Sequence, residues 1–331
     1  MINIGIIGTS EITRNFITTG EKLKKFKLTA IYSRTQKRAH EFGAGFNVSN
    51  YFTDLTQFFT SDTFNTVYIA SPNDMHFAHV KQAILNHKNV IVEKPAFANP
   101  TEMKAIQKLL ADYPDVCFFE AARNFHEPNF KIIKKYIEKM PDIQGATLTY
   151  KKYSSRYDAF KAGQNPNIFS LAHAAGAFQD LGVYLVYEAI GWFGMPQSAK
   201  YFPHKLSNGI DGSGIAILNY NDFQVELNVG KTANAYLSSE IYGGKETIEI
   251  DNAADMNQVS LIDAKHHQIA IGDPKQNHLE SEILDFAHVI ENFDDPQCKQ
   301  KMQTWLEMAV KVNQVLFELR KSADLPFTSD K

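Results

Sequence analysis

The sequence predicts an α/β protein of two domains, the first built on a doubly wound parallel sheet and the second an α+β domain with a mostly antiparallel sheet. Its 331 residues exceed what one hydrophobic core usually supports. Short β-branched runs alternate with helical patterns up to residue 122, which is typical of βαβ units. From about residue 144 the strands are instead joined by tight turns, which indicates antiparallel pairing. We therefore expect domains over 1–122 and 123–331.

Five strands and four helices are expected in the first domain. The strands are NIGIIG, KLTAIYS, TVYIAS, NVIVEK and VCFFEAA, and the helices lie near residues 11–22, 35–43, 74–87 and 101–112. Because such strands are apolar on both sides, helices should cover both faces of the sheet.

Three hairpins and two helices are expected in the second domain. The hairpins are GIAILNYNDFQVELNVG, AYLSSEIYGGKETIEI and VSLIDAKHHQIAI, with turns at Asn221 and Asp222, at Gly243 and Gly244, and near Asp263. The helices lie at 278–293 and 302–321. In the first helix Leu279, Ile283, Phe286 and Ile290 recur at helical spacing, and each helix should bury one face.

Composition limits the possible partners. The net charge is -3 and the pI is about 6.4, with lysines scattered along the chain, which argues against nucleic-acid and membrane partners. The cysteines, Cys117 and Cys298, lack a C-x-x-C spacing and suit reduced thiols in a cytoplasm. The N-terminus begins at once with a strand, and no apolar run reaches the length of a membrane span. We expect a cytoplasmic protein.

The segment GIIGTSEIT follows the first strand and opens a helix, where a dinucleotide-binding fold has its phosphate loop. Of the three fingerprint positions only Gly8 is glycine, and Ser10 and Thr13 occupy the others. Serine can still present its backbone N–H to a pyrophosphate at the positive helix end. The residues expected to bind the cofactor here are Gly8, Thr9, Ser10, Glu11 and Ile12. A turn without a ligand is the alternative.

The second strand ends at Ser33 and Arg34, where an NAD-binding chain usually carries an acidic residue. Hydroxyl and guanidinium groups suit a 2′-phosphate instead, and Arg38 lies one helical turn beyond Arg34. Two arginines at this spacing are also typical of a solvated helix face. Their place about twenty residues after the phosphate turn favours NADP, with NAD still possible.

An ordered set of motifs resembles the Gfo/Idh/MocA family of NAD(P)-dependent oxidoreductases, named for glucose-fructose oxidoreductase and inositol dehydrogenase. The motifs are the first-strand turn, YIASPNDMH, VIVEKP, EAARNFHEPNF and GAFQDLGVYLVYEAIGWFG. The resemblance spans nearly the whole chain. It implies an N-terminal Rossmann domain that binds the cofactor and a C-terminal domain with a large open sheet. The latter would supply substrate contacts and an interface for a homodimer or homotetramer.

Glu93 and Lys94 fall at the C-terminal edge of a parallel strand, where ligands bind in such sheets. The resemblance implies that the Lys94–Pro95 bond is cis and that the Lys94 ammonium points at the reacting oxygen of the substrate, beside the nicotinamide. An isolated lysine at this place is more often a solvated strand end.

Asp180 and Tyr184 are four residues apart and would share one face of a helix. Most relatives place histidine where Tyr184 stands, and the tyrosine resembles the branch with glucose-fructose oxidoreductase and dimeric dihydrodiol dehydrogenase. A phenol ordinarily titrates near about 10 and a histidine near about 6.5. Tyr184 should therefore need a nearby cation, such as Lys94. Core packing is the alternative for Tyr184.

Further candidates follow the third strand. Ser71, Pro72, Asn73 and His76 should face the cofactor, with His76 near the ribose or nicotinamide. His76 and His79 are three residues apart, but because no acidic or cysteine ligand accompanies them we expect no metal.

Three more residues are candidates for substrate binding. Many relatives carry arginine at the position of Phe125, and Arg123 would lie on the same strand face. The segment 153–173 lacks periodicity and should form a substrate-facing loop that includes Arg156 and His173. For each of these two residues, surface structure is the alternative.

These patterns predict reversible hydride transfer between NADP and a secondary alcohol of a sugar, cyclitol or dihydrodiol. The main alternative is a non-catalytic protein of the same fold that senses dinucleotide or sugar. Lys94, Asp180 and Tyr184 favour the enzyme, because a sensor has no need of a proton relay. A third possibility, an S-adenosylmethionine site, is disfavoured by Arg34, since the expected acidic residue is missing.

Overall fold

The computed structural model describes residues 1–140, 142–273 and 277–330. The chain divides into two compact units, unit 1 with Met1–Ala121 and Leu279–Ala309, and unit 2 with Ala122–His278 and Val310–Lys331. The expected second domain ran without interruption from 123 to 331. The structure corrects this, because residues 279–309 pack with the first unit.

Unit 1 contains a sheet of six parallel strands: β1 (Ile2–Ile7), β2 (Phe26–Tyr32), β3 (Asn50–Phe52), β4 (Thr66–Ile69), β5 (Asn89–Glu93) and β6 (Phe118–Ala121). Their order is β3-β2-β1-β4-β5-β6. The order reverses between β1 and β4, and in such sheets the ligand crevice opens at the carboxyl ends of the strands at this point. The doubly wound parallel sheet is confirmed.

The strands of unit 1 alternate with helices α1 (Glu11–Lys22), α2 (Gln36–Gly43), α3 (Leu55–Thr60), α4 (Asn73–Leu85) and α5 (Pro100–Asp112). Helix α1 buries Phe16, whose ring stacks on Tyr68 of β4 with centroids 4.2 Å apart. Only β3 and α3 were not predicted, because both are too short to show a clear period.

Unit 2 begins with helices α6 (Arg123–His126) and α7 (Pro128–Ile137), and helices α8 (Tyr157–Lys161) and α9 (Val183–Phe193) follow β7. Eight strands lie in the described part of unit 2: β7 (Ile143–Lys151), β8 (Ser198–Lys205), β9 (Asp211–Asn219), β10 (Gln224–Gly230), β11 (Ser239–Gly243), β12 (Glu246–Ile250), β13 (Val259–Ile262) and β14 (Gln268–Ala270). They are ordered β14-β13-β12-β11-β7-β10-β9-β8.

The mostly antiparallel sheet predicted for unit 2 is confirmed. The three expected hairpins are β9 with β10, β11 with β12, and β13 with β14. The pairing of β7 with β10 is parallel. A π-helical turn over Phe178–Gly182 leads directly into α9.

The chain returns to unit 1 at helix α10 (Glu280–Glu291), followed by α11 (Pro296–Ser322). Phe286 of α10 is fully buried, and its ring stacks on Phe119 of β6 at 4.7 Å. The predicted apolar face of this helix is therefore confirmed, and it explains why the segment belongs to unit 1. Helix α11 begins six residues earlier than expected, at Pro296, a residue favoured in the first turn of a helix.

Over the described parts of the chain, no helix is both long enough and apolar enough to cross a membrane.

Candidate active site

The turn after β1 requires glycine at its first position. Gly8 has φ +105°, and a Cβ built there would lie 2.3 Å from the carbonyl oxygen of Ala70. Ser10 directly precedes α1, and its hydroxyl lies 3.1 Å from that of buried Thr13. Thr13, at the third fingerprint position, is therefore a packed residue.

The five residues of this turn that were expected to bind the cofactor differ in their solvent exposure. Gly8 and Thr9 are half-buried, and Ser10 and Glu11 are exposed at the start of α1. The side chain of Ile12 packs against the hydrophobic core of unit 1. The prediction that this side chain binds the cofactor is therefore corrected. Only the backbone of Ile12 belongs to the helix N-terminus.

A direct contact joins this turn to α2. The Nε–H of Arg38 donates to Oγ1 of Thr9 over 2.9 Å. Ser33 follows β2 and is 8% exposed, whereas Arg34 and Arg38 are exposed. Arg34 lies before the N-cap Thr35 and therefore outside α2, not one turn below Arg38 in the same helix. The guanidinium of Arg38 and the hydroxyl of Thr9 are suitable donors for an anionic group.

His76 does not face a ligand. It is fully buried, with Nδ1 3.1 Å from the carbonyl oxygen of Pro95 and Nε2 2.9 Å from that of Ser71. Burial lowers the pKa of His76, although the carbonyls of Pro95, Ser71 and Ala96 oppose the shift. The predicted contact between His76 and the ribose or nicotinamide is therefore wrong. Its ring instead ties the loop after β4 to the turn after β5.

His79 is also buried, and its Nδ1 lies 3.0 Å from the hydroxyl of Ser71. Burial lowers the pKa of His79 to about 4, and the charge of His76 contributes to the lowering. Ser71 is thus held through its hydroxyl and its carbonyl. Pro72 precedes α4, which begins at Asn73, so these two residues lie at the carboxyl end of β4 as expected.

The turn after β5 carries Glu93 and Lys94, both half-buried. The carboxylate of Glu93 accepts a hydrogen bond from the hydroxyl of buried Tyr68 on the neighbouring strand β4. The Lys94–Pro95 peptide bond is cis, as the resemblance implies. The backbone N–H of Ala96 donates to Glu120 over 3.0 Å. Side chains from both adjacent strands thus fix the turn that presents Lys94.

In unit 2, Asp180 forms an ion pair that the sequence did not predict. Its carboxylate accepts from the ammonium of Lys231, the residue after β10, and the two side chains are 18% and 4% exposed. The same ammonium donates to the carbonyl oxygen of Ile168 over 2.7 Å and lies 4.7 Å from the ring centroid of Phe169.

The π-helical turn that carries Asp180 is anchored by Asp211. The carboxylate of Asp211 accepts from the N–H of Phe178 over 2.7 Å and from the hydroxyl of Tyr201 over 2.9 Å. Burial raises the pKa of Asp211 to about 6, against the lowering effect of these donors and of Lys231. Gly176, with φ +129°, is needed here, because a Cβ would lie 2.0 Å from Oδ1 of Asp211.

Tyr184 contacts a cation within its own unit. The guanidinium of Arg123 lies 5.6 Å from the ring centroid of Tyr184 and is paired with Asp255. Burial alone would lower the pKa of Arg123, but Tyr184 and Asp255 raise it. The ring of Tyr150 packs edge-on against Tyr184 with centroids 5.6 Å apart. Tyr184 is 8% exposed, so it combines core packing with an adjacent charge.

The structure corrects the setting predicted for Arg123. Residues 123–126 form helix α6, so the two-residue period of a strand does not relate Arg123 to Phe125. Phe125 packs against Phe130 and Tyr187, with ring centroids 5.3 and 5.7 Å apart. Arg123 points instead to Tyr184.

The segment 153–173 consists of loops and short helical turns, as expected. Arg156 is exposed and precedes α8, where it lines a cavity of about 520 Å³ together with Gln164, Asn165, Asn167 and Ile168. His173 is half-buried in a 3₁₀ turn over Leu171–His173. The structure therefore places Arg156, but not His173, among the residues that line this cavity.

The six-stranded parallel sheet with a glycine turn after β1 has the architecture of a dinucleotide-binding domain. Together with the named relatives below, it makes the chain an NAD(P)-dependent oxidoreductase that acts on CH–OH groups. Residues 2–121 match the family model described as "Oxidoreductase family, NAD-binding Rossmann fold". The chain belongs to the Gfo/Idh/MocA family of NAD(P)-binding oxidoreductases.

Similar proteins of known name support this assignment. The chain is 40% identical over 280 residues to scyllo-inositol 2-dehydrogenase (NADP(+)) IolU of Bacillus subtilis (strain 168), with 83% of this chain and 84% of the relative covered. It is 36% identical over 263 residues to the uncharacterized oxidoreductase YgjR of Escherichia coli (strain K12), with coverages of 79% and 80%.

The fold is similar to that of KijD10, a 3-ketoreductase from Actinomadura kijaniata solved with NADP and TDP-benzene. The TM-score is 0.83 at 19% identity, with 97% of this chain and 98% of that chain covered. At 19% identity, the similarity shows only that the two proteins share a fold.

Proposed function

We propose that the protein is an NADP-dependent dehydrogenase that transfers a hydride between the nicotinamide and a secondary alcohol or carbonyl carbon of a sugar, cyclitol or dihydrodiol. One observation carries the proposal. Three neighbouring parallel strands, β1, β4 and β5, end respectively in the Gly8 turn, the Ser71 loop and Lys94. In such sheets the carboxyl edge is where a dinucleotide and its substrate bind.

The donors at the end of β2 support NADP over NAD. The contact between Arg38 and Thr9 places a guanidinium beside the phosphate turn, and exposed Arg34 adds a second positive charge. Arg34 cannot accept a hydrogen bond from the ribose hydroxyls, and Ser33 lacks the charge and second oxygen of a carboxylate, whereas both can donate to a 2′-phosphate. The name of the relative IolU, which specifies NADP(+), agrees with this preference.

When bound, the nicotinamide supplies the acceptor or donor of the hydride. The pyrophosphate would be held by backbone N–H groups of Gly8, Thr9 and Ser10, with Glu11 and Ile12 contributing only the start of α1. Pro72, Asn73 and Glu93 would shape the remainder of the cofactor edge. Glu93 does so while bonded to Tyr68.

Lys94 is proposed to handle the proton of the reacting hydroxyl. As the alcohol is oxidised, this proton would pass either to the neutral amine of Lys94 or to the phenolate of Tyr184, and in the second case the Lys94 ammonium would stabilise the alkoxide that develops. General acid and base help of this kind contributes about 10² to 10⁴ in rate. In the opposite direction the same group returns the proton to the carbonyl oxygen.

Tyr184 and Asp180 are the proposed contributions of unit 2. The guanidinium of Arg123 lies 5.6 Å from the centroid of the Tyr184 ring and would help to position the phenol. Asp180, paired with Lys231, would accept hydrogen bonds from substrate hydroxyls. Arg123 therefore supports Tyr184 in place of the direct substrate contact first expected of it.

The polar side chains before the π-helical turn support the proposal of a polyhydroxylated substrate. The cavity lined by Arg156, Gln164, Asn165 and Asn167 offers amide and guanidinium donors. The name of the relative IolU makes scyllo-inositol the first compound to test. By resemblance to the family, we also propose a cytoplasmic homodimer or homotetramer.

The test is to measure reduction of NADP⁺ and NAD⁺ by the purified protein with scyllo-inositol, other inositols, sugars and a dihydrodiol. We expect turnover with at least one polyol and a kcat/KM at least about tenfold higher with NADP⁺ than with NAD⁺. Tight NADPH binding without turnover of any compound in the panel would instead support a sensor. A preference for NAD⁺ would contradict the assignment of Arg34 and Arg38.

A further inference from the structure

Lys231 is a buried cation in contact with a proposed substrate-binding carboxylate. It follows β10, and its side chain is only 4% exposed. Lysine is almost never buried to this extent unless its charge is paired. Each ammonium has three N–H donors. Here the partners are the Asp180 carboxylate, the Ile168 carbonyl at 2.7 Å and the ring face of Phe169 at 4.7 Å.

The side chain of Lys231 contacts the second half of the segment 153–173, and its backbone is hydrogen-bonded to the start of that segment. Its carbonyl accepts from the N–H of Ser154 over 2.9 Å, and its own N–H donates to the Gly212 carbonyl over 2.8 Å. One residue therefore joins the start of the segment 153–173, through Ser154, to its second half, through Ile168 and Phe169. The same residue joins both to the turn that carries Asp180.

Stability alone does not explain a lysine here. Replacing a buried ion pair with apolar residues of similar size is often neutral or stabilising, because both charges must be removed from water. The site also contains a second carboxyl group, that of Asp211, whose pKa is raised by burial and by the charge of Asp180 and lowered by that of Lys231. Without the ammonium, two carboxyl groups would share one poorly hydrated region.

We infer that Lys231 is a positioning residue, which holds Asp180 as an oriented carboxylate and fixes the segment 153–173 beside it. The inference rests on the proposed function, because it requires Asp180 to contact substrate. It implies that the loop which selects the substrate and the carboxylate which binds it are held by a single side chain.

The test compares Lys231→Met, which keeps the length of the side chain without its charge, with Lys231→Arg. A matched control is Lys88→Met, at another buried lysine, whose ammonium is bonded to the carbonyls of Ser61 and Phe64 in unit 1. Two readouts are used: kcat/KM for scyllo-inositol with NADP⁺, and amide hydrogen exchange of residues 153–173 in the protein without substrate.

In K231M we expect kcat/KM to fall by about 100-fold, with NADPH affinity unchanged within about twofold. Amides of 166–173 should exchange at least about tenfold faster than in the wild type, and K88M should leave their exchange unchanged. Adding Asp180→Asn to K231M should cause little further loss, because the two residues act as one unit. The inference would be overturned if the amides of 166–173 exchanged in K231M as they do in the wild type. It would also be overturned if the losses of kcat/KM from Lys231→Met and Asp180→Asn added up in the double variant.

K231R decides the matter if K231M does not fold. A planar guanidinium keeps the charge but cannot reproduce all three contacts, so we expect a folded protein with kcat/KM about tenfold below that of the wild type. Wild-type kcat/KM in K231R would overturn the inference. If the wild-type protein oxidises no polyol, the proposed function fails, whereas the exchange measurement still tests how Lys231 holds the segment.

Discussion

The Nε–H of Arg38 donates a hydrogen bond to the hydroxyl of Thr9 across 2.9 Å, which joins helix α2 to the turn after β1. The two residues are 29 positions apart in the chain, and the contact places a cation where the phosphate turn ends. This contact is the structural basis for the expected preference for NADP.

Replacing Arg38 with alanine should therefore weaken NADP⁺ binding selectively. A charge-assisted hydrogen bond to a phosphate contributes about 1.5–3 kcal/mol, so we expect the Kd of NADPH to rise about 10- to 100-fold and that of NADH to stay within about threefold. Fluorescence titration measures both. Lys37→Ala, which removes an exposed lysine paired with Glu41 at 3.9 Å, is the matched control. Equal losses for both cofactors would show that Arg38 does not recognise the 2′-phosphate.

Acid should destabilise unit 1 through its buried histidines. Burial lowers the pKa of His79 to about 4, whereas an unfolded histidine titrates near about 6.5. The contribution of His79 to the free energy of unfolding is fully present above the pKa of the unfolded chain. It is lost as the pH falls towards 4, because in this range only the unfolded chain takes up the proton. The loss is about 1.4 kcal/mol per pH unit, or about 2 kcal/mol at pH 5.

Urea unfolding of the wild type and of His79→Asn at about pH 7 and pH 5 measures this effect. The wild type should lose about 2 kcal/mol more than the variant. The control His204→Asn, at an exposed histidine, should behave as the wild type. An identical loss in H79N and the wild type would show that His79 is protonated in the folded protein.

Asp211 should change the pH dependence of stability in the opposite direction to His79. Burial raises its pKa to about 6 from an ordinary value near about 4. The stabilising contribution of Asp211 is fully present below the pKa of the unfolded chain and is lost as the pH rises through 6. The complete loss amounts to about 3 kcal/mol. The unfolding free energy of the wild type relative to Asp211→Asn should decrease by about 2 kcal/mol between about pH 4 and pH 7. A difference that does not vary with pH would contradict the assignment.

Removal of the guanidinium beside Tyr184 should slow catalysis. In Arg123→Gln the Tyr184 ring loses the cation that lies 5.6 Å from its centroid, and Asp255 loses its ion-pair partner. We expect about a 10- to 100-fold lower kcat/KM, with NADPH affinity nearly unchanged. Arg123→Lys retains the charge and should lose less. Wild-type kcat/KM in R123Q would remove Arg123 from the mechanism.

The parts of the fold that could be predicted are those encoded locally. The strands and longer helices of unit 1 follow from periods within single segments, and Gly8, Lys94, Asp180 and Tyr184 lie in contiguous motifs. Lys231 is 51 residues from Asp180, and Asp255 is 132 residues from Arg123. Sheet topology brings these pairs together, and no spacing in the sequence indicates it.

The two main corrections have the same kind of cause. The apolar face of α10 was predicted, but its pattern does not say which sheet it covers, and it packs on Phe119 of unit 1. His76 was correctly placed at the end of β4, but a motif does not reveal the direction of a side chain. Its ring is buried between two backbone carbonyls.

Lys94→Ala tests the central claim most directly. Steady-state NADPH formation and NADPH binding should be measured side by side for the variant, for the wild type and for Lys104→Ala, at an exposed lysine of α5. We predict that K94A lowers kcat by about 100-fold or more with NADPH affinity nearly unchanged, and that K104A behaves as the wild type. Unchanged turnover in K94A would show that the ammonium at the end of β5 takes no part in the reaction.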